Sequence, residues 1–173
     1  MIIKKTSKLG LLKIYPETNF KDFRGRFIET FNKKKYLKKL KLNFVEDDFS
    51  INKKNVFRGI HGDHKTWKLV SCIHGQCQLV ILNCDKKSKF FGLWESFILS
   101  PYNYFQILIP PSYGNSFLVL SDVAVCHYKQ TRYYKSPLNQ FTFNYKDPFF
   151  KIKLLSKKPI VSKRDRKAGF VEI

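Results

Sequence analysis

The sequence predicts an all-β chain built as an antiparallel sandwich or barrel, and three observations carry that expectation. Apolar runs rich in Val, Ile, Phe and Tyr recur about every 8 to 12 residues, with Gly, Pro, Asn and Asp between them. Only Lys33 to Leu42 has helical spacing, with Tyr36, Leu37 and Leu40 on one side and lysines around the rest, which reads as one short surface helix. No Gly-rich phosphate loop and no alternation of strand with helix interrupts the pattern. The 173 residues suit a single domain spanning 1–173, and 43% hydrophobic with 16% aromatic residues is enough apolar surface for a folded core.

The net charge of +20 comes from 33 Lys and Arg against 13 Asp and Glu. Most of the excess is lysine spread in short runs, with no nucleic-acid motif, so the field points to a small anionic substrate rather than to nucleic acid. Cys72, Cys77, Cys84 and Cys126 sit in apolar runs without a Cys-x-x-Cys pair and read as buried free thiols. The first residues lack the apolar core of a signal peptide, and no apolar run approaches the ~18 residues that span a bilayer. A cytoplasmic protein without a membrane partner is expected.

Taken in order, Leu11 to Tyr15 is a strand, followed by polar turns through Pro16 to Asn19 and Asp22 to Gly25. Phe27 to Phe31 alternates, placing Phe27, Glu29 and Phe31 on one face; Glu29 there is either an acceptor for a flat ligand's edge or a solvated edge carboxylate. After the helix, Phe44 to Ser50 is an acidic strand whose Glu46, Asp47 and Asp48 suit a cation, nearby lysines or plain solvent. Val56 to Gly75 is the stretch richest in chemistry. It reads as two strands, ending at Ile60 and starting at Trp67, joined at a polar turn that carries His61, Asp63, His64 and Lys65, with Arg58 and Lys68 flanking. That set is either a base with charge-stabilising partners or a solvated hairpin turn.

Strands then follow at Gln76 to Asn83, Phe91 to Leu99 and Tyr104 to Ile109, with a rigid loop from Pro110 to Ser116 and strands at Phe117 to Leu120 and Val123 to Thr131. Phe141 to Leu155 keeps strand character, and Ser162 is placed to cap a short C-terminal helical turn carrying Asp165. Counting by two puts Tyr128 on one face with Ala124 and Cys126, away from His127, and puts Lys68 with Val70 and Cys72. An ammonium on an apolar face is costly unless it meets an anion or an open cavity, which singles Lys68 out from the other lysines. His61, His64, His74 and His127 raise a metal-binding cupin, but the His61-x-x-His64 spacing and the lack of a following acid argue for a metal-free pocket.

The series Asp22-x-Arg24-Gly25-x-Phe27-x-Glu29, Ser50, Arg58-Gly59-Ile60-His61, Lys68-Leu69-Val70-x-Cys72-x-x-Gly75, Phe91-Gly92, Ile109-Pro110, Tyr128-Lys129-x-Thr131-x-x-Tyr134, Asp147-Pro148 and Ser162-x-x-Asp165 resembles the dTDP-4-dehydrorhamnose 3,5-epimerase family in order along nearly the whole chain. The resemblance implies a double-stranded jelly-roll (cupin-type) barrel, a homodimer with strand exchange, and work on a nucleotide-linked 4-keto-6-deoxy sugar without metal or cofactor. It implies His61 as base, Asp165 as the carboxylate orienting it, Lys68 as stabiliser of the enolate and Tyr128 as acid. Arg24 and Arg58 match positions that hold the pyrophosphate and nucleotide, and Phe27 and Glu29 match positions that contact the base.

The departures bear on substrate. Gly62-Asp63 follows His61 where the family has an aromatic and Gln, and Gly114-Asn115-Ser116-Phe117 replaces Ala-His-Gly-Phe; Glu46 and Asp48 stand for a Gln and an Asn that face the ligand. Gly62 is expected to open space beside the base for a longer sugar, with Glu46, Asp48, Asp63 and Asn115 as substrate contacts. This combination is similar to the branch acting on GDP-4-keto-6-deoxy-heptose in bacterial capsule pathways, and that substrate is the expectation against a dTDP-linked hexose. A 3,4-ketoisomerase and a catalytically silent nucleotide-sugar-binding module are the competing readings.

Overall fold

The computed structural model describes residues 1–171. Its elements are β1 (Ile2–Lys5), β2 (Leu12–Tyr15), β3 (Asn19–Asp22), β4 (Gly25–Ile28), α1 (Lys33–Leu40), β5 (Glu46–Lys53), β6 (Val56–Gly62), β7 (Lys68–His74), β8 (Cys77–Asn83), β9 (Trp94–Leu99), β10 (Gln106–Ile109), β11 (Tyr113–Val119), β12 (Val123–Gln130), β13 (Phe141–Thr142), β14 (Ile160–Val161) and α2 (Lys163–Arg166). Two sheets form the jelly roll. The first runs β1-β2-β10-β7-β12-β5 and the second β13-β6-β11-β8-β9, with β14 beside β6 and a separate β3–β4 hairpin.

The central strands β8 and β10 read as unbroken apolar runs because both of their faces are covered. Between the sheets pack Val70, Leu79, Ile81, Leu99, Ile107 and Val119, with Cys72, Cys77 and Cys126 among them. Residues of the opposite parity serve the outer faces. Leu69 and Leu108 meet Tyr36 of α1, while Leu82 and Leu118 meet Phe150 and its aromatic neighbours. The helix fits its sequence: Asn32 caps it by accepting from the Lys35 N–H, and Lys41 at φ 58° ends it after Leu40, two residues before the expected stop at Leu42. All four cysteines are buried free thiols, and among the described residues no helix is long and apolar enough to cross a membrane.

Several expectations are corrected. The two strands of the Val56–Gly75 stretch are not a hairpin: β6 pairs with β11 in the second sheet and β7 with β10 and β12 in the first, so the polar turn carries the chain between sheets. β6 also runs past Ile60 to Gly62, which puts His61 on the strand. β4 stops at Ile28, so Phe27, Glu29 and Phe31 share no strand face; Glu29 turns to Lys35 at 2.9 Å while Phe31 packs on Tyr36 and Phe44. The expected loop through Ser116 is strand from Tyr113 on, because that backbone pairs with β8, and the turn is confined to residues ending at Ser112 with φ 66°.

Only Phe141–Thr142 of the last expected strand is extended. The remaining aromatics coat the outer face of the second sheet, where Phe143 meets Phe150 edge-on at 5.5 Å. Strands β1, β3 and β14, of two to four residues, are too short for a period to announce them.

Candidate active site

The site is a cavity of about 480 Å³ between the sheets, lined by Glu46, Asp48, Arg58, His61, Lys68, Asn115, Tyr128 and Asp165. β6 supplies His61 and Arg58. Period two would send residues 58 and 61 to opposite faces, but Asn115 pairs with His61 and Phe117 with Arg58, so three steps of β6 match two of β11. That extra residue is a bulge, and it turns both side chains into the cavity. Gly59 makes it possible: its φ is 131°, and a Cβ there would lie 2.4 Å from the Ser116 Cβ.

His61 Nε2 donates to Asp165 Oδ1 at 2.6 Å, which leaves Nδ1 as the basic nitrogen. Asp165 is fixed from three sides. Ser162 caps α2 by accepting from the Asp165 N–H at 3.1 Å, and the Gly59 N–H donates to Asp165 Oδ2 at 3.2 Å. Burial opposes ionisation of this carboxyl, yet the bonds from His61, Gly59 and Ser162 outweigh it and hold its pKa below the usual value. Asp165 is therefore an anion poised to stabilise an imidazolium.

Across the cavity, β7 and β12 carry Lys68 and Tyr128 on the same face as Val70 and Cys126, as their parity predicts. Lys68 is only 8% exposed. Among the described residues the one hydrogen bond of its ammonium runs to Asn115 Oδ1 at 3.4 Å, and burial lowers its pKa while Asp63 partly restores it. Burial raises the pKa of Tyr128, helped by Asp48 and Glu46, so the phenol keeps its proton. An imidazole on one sheet faces a phenol and an ammonium on the other.

Four predicted contacts lie elsewhere. Arg24 and Phe27 line a separate concavity on the β3–β4 hairpin, with Arg24 clamped by Asp22 at 2.6 Å. Glu29 is held by Lys35 and Asn32. Asp63 accepts from the Lys65 and Thr66 N–H groups at 2.8 and 2.7 Å and so builds the turn; it lines an adjoining cavity of about 620 Å³ with Lys65, Arg132 and Tyr133. Gly62 opens no space beside the base, since a Cβ there would meet the Phe141 ring at 2.4 Å and Tyr113 O at 2.5 Å. Phe141 fills the room that a larger residue 62 would need.

Gln130, Tyr134, Gln140 and Arg164 also line the site. Gln130 was within reach of the parity argument, two residues after Tyr128. Gln140 and Arg164 come from irregular chain and a helical turn, and no periodicity points to them. Among the described residues no three His, Cys, Asp or Glu side chains group as metal ligands.

A family model described as dTDP-4-dehydrorhamnose 3,5-epimerase matches residues 6–172. The chain is 34% identical over 178 residues to the dTDP-4-dehydrorhamnose 3,5-epimerase of Salmonella typhimurium, a match covering 99% of this chain and 96% of that one. A dTDP-6-deoxy-D-glucose-3,5-epimerase from Legionella pneumophila, solved in complex with dTDP-4-keto-L-rhamnose, superposes with a TM-score of 0.90 at 34% identity over 98% of this chain and 92% of the other. The dTDP-4-dehydrorhamnose 3,5-epimerase of Elizabethkingia anophelis gives 0.86 at 32% identity over 98% and 96%. With its jelly roll, its facing imidazole and phenol, and these matches along nearly its full length, the chain belongs to the dTDP-4-dehydrorhamnose 3,5-epimerase family and is an isomerase.

Proposed function

We propose that this isomerase epimerises a nucleotide-linked 4-keto-6-deoxy sugar at C3, C5 or both, without a cofactor, and that a dTDP-linked hexose is its substrate. The observation that carries the reading is the placement of base and acid on opposite sheets, His61 on β6 and Tyr128 on β12, with Lys68 beside the space between them. A C4 ketone acidifies the protons on its neighbouring carbons. His61 Nδ1 takes one of them, and Asp165 stabilises the imidazolium. The enolate oxygen faces the Lys68 ammonium, which counts for most in a dry site. Tyr128 returns a proton from the other face, and the carbon is inverted.

The nucleotide diphosphate extends toward Arg58 and the cation-lined neighbouring cavity. We place Arg24, Phe27 and Glu29 in the site through a homodimer, the β3–β4 hairpin of one copy reaching the cavity of the other. Phe20, Phe23 and Phe27 are 70%, 97% and 66% exposed on that hairpin, apolar surface that a partner would cover.

A GDP-linked heptose remains a second reading on one observation. Glu46 and Asp48 line the cavity, and acceptor-only carboxylates suit additional hydroxyl or N–H donors. The dTDP relatives weigh against it, and so does Phe141, which occupies the space that Gly62 was expected to open. Turnover of dTDP-4-keto-6-deoxyglucose and GDP-4-keto-6-deoxy-heptose, measured side by side as kcat/KM, decides between them. Preference for the dTDP sugar is expected, and a preference for the GDP sugar would reverse the substrate assignment.

A further inference from the structure

Tyr128 faces an electrostatic conflict. A phenol that donates a proton must still hold it at neutral pH, but the chain carries +20 and Arg58 and Lys68 line the same cavity as the phenol. Nearby cations favour the tyrosinate. The groups that oppose them stand on β5. Antiparallel register puts Asp48 directly across from Tyr128 and Glu46 across from Gln130, and all four side chains line the cavity while Asp47 between them turns outward to His127 and Lys129.

Both inward carboxylates are held in place. Gln130 Nε2 donates to Glu46 Oε1 at 2.7 Å and to Asp48 Oδ2 at 3.2 Å, and the Tyr134 N–H donates to Glu46 Oε2 at 2.8 Å. Of the other elements lining the cavity, β6 presents Arg58 and His61, β7 presents Lys68 with Val70 directly opposite, the segment after β12 presents Tyr134, and the C-terminal turn presents Arg164 and Asp165. Asp165 is already matched to His61.

We propose that Glu46 and Asp48 are positioning residues for the proton donor: fixed across the β5–β12 ladder, their charges hold the Tyr128 phenol protonated against Arg58 and Lys68. The proposal rests on Tyr128 being the acid of the reaction described above. Burial, then Asp48, then Glu46 raise the phenol's pKa, and Arg58 lowers it, in line with this arrangement.

The first part of the test needs no substrate. Protein labelled with ¹³C at the tyrosine ring is titrated by NMR, with the Tyr128 signal identified by its absence in Tyr128→Phe. In Asp48→Asn and in Glu46→Gln with Asp48→Asn, the Tyr128 midpoint should fall by about half a pH unit or more, the scale of a charge removed a few ångströms away in a partly wet site. The alkaline limb of the turnover profile should fall with it, which a purely structural role would not cause. Glu46→Gln alone keeps an oxygen to accept from Gln130 and Tyr134, so it serves if the Asp48 variants fail to fold. A midpoint that stays put or rises in folded variants overturns the proposal. A fallen midpoint in protein that exchanges no sugar proton supports the hold of Glu46 and Asp48 on the phenol and overturns the epimerase reading with the proton-donor role.

Discussion

Lys68 is the residue at which stability and function part most clearly. Among the described residues its buried ammonium has one long hydrogen bond, a costly arrangement for folding and, in the proposed mechanism, a useful one beside a developing oxyanion. Lys68→Met should lower kcat by about 10²- to 10³-fold while leaving the thermal midpoint unchanged or raised; a marked loss of stability would mean the ammonium is a structural contact. Asp165 behaves the opposite way. Its folded pKa lies below the unfolded value, so its stabilisation is complete above the ordinary value of about 3.9 and is lost as pH falls through the lowered one. Asp165→Asn should cost about 1–3 kcal/mol at pH 7 and should flatten the loss of stability as pH falls below about 4, both readable from urea unfolding. These residues were legible to different degrees. Parity placed Lys68 and Tyr128 on the cavity faces, because strands β7 and β12 are regular there. Arg58 and His61 share a face only through the bulge at Gly59, which alternation cannot anticipate, and Asp63 looked like a ligand contact because a capping carboxylate has the same sequence appearance as a free one.

At the scale of elements, the contact of β6 with β13 replaces the idea of a widened sugar pocket. Gly62 lies under the Phe141 ring, and Phe141 pairs with it in the ladder. Gly62→Ala should destabilise the fold by about 1–3 kcal/mol through overpacking, and adding Phe141→Leu should recover part of that loss; equal stability of Gly62→Ala and wild type would restore the open-space reading. The long central strands were readable because covered faces make them continuously apolar. The segment after Phe141 misled for the same reason: its aromatics are apolar because they cover a sheet, not because they join one. Short polar strands such as β3 form where a hairpin turn closes, and their residues carry too little periodicity to show it.

For the whole molecule, the hairpin's distance from the cavity makes assembly testable. If the proposed homodimer shares its sites, two inactive proteins, His61→Asn and Arg24→Ala with Phe27→Ala, should regain activity when unfolded and refolded together, since a mixed dimer would pair an intact cavity with an intact hairpin. No recovery would place the nucleotide contacts within one chain. The +20 charge should act on encounter, so raising salt from ~0.02 to ~0.5 M should raise KM several-fold with little change in kcat. The central claim, that His61 removes a proton next to a ketone, is reached most directly by proton NMR in D₂O with dTDP-4-keto-6-deoxyglucose. Wild-type protein should erase the C3 signal, the C5 signal or both, and folded His61→Asn should leave them intact; persistence of both signals with wild type, or their loss with the variant, would contradict the account.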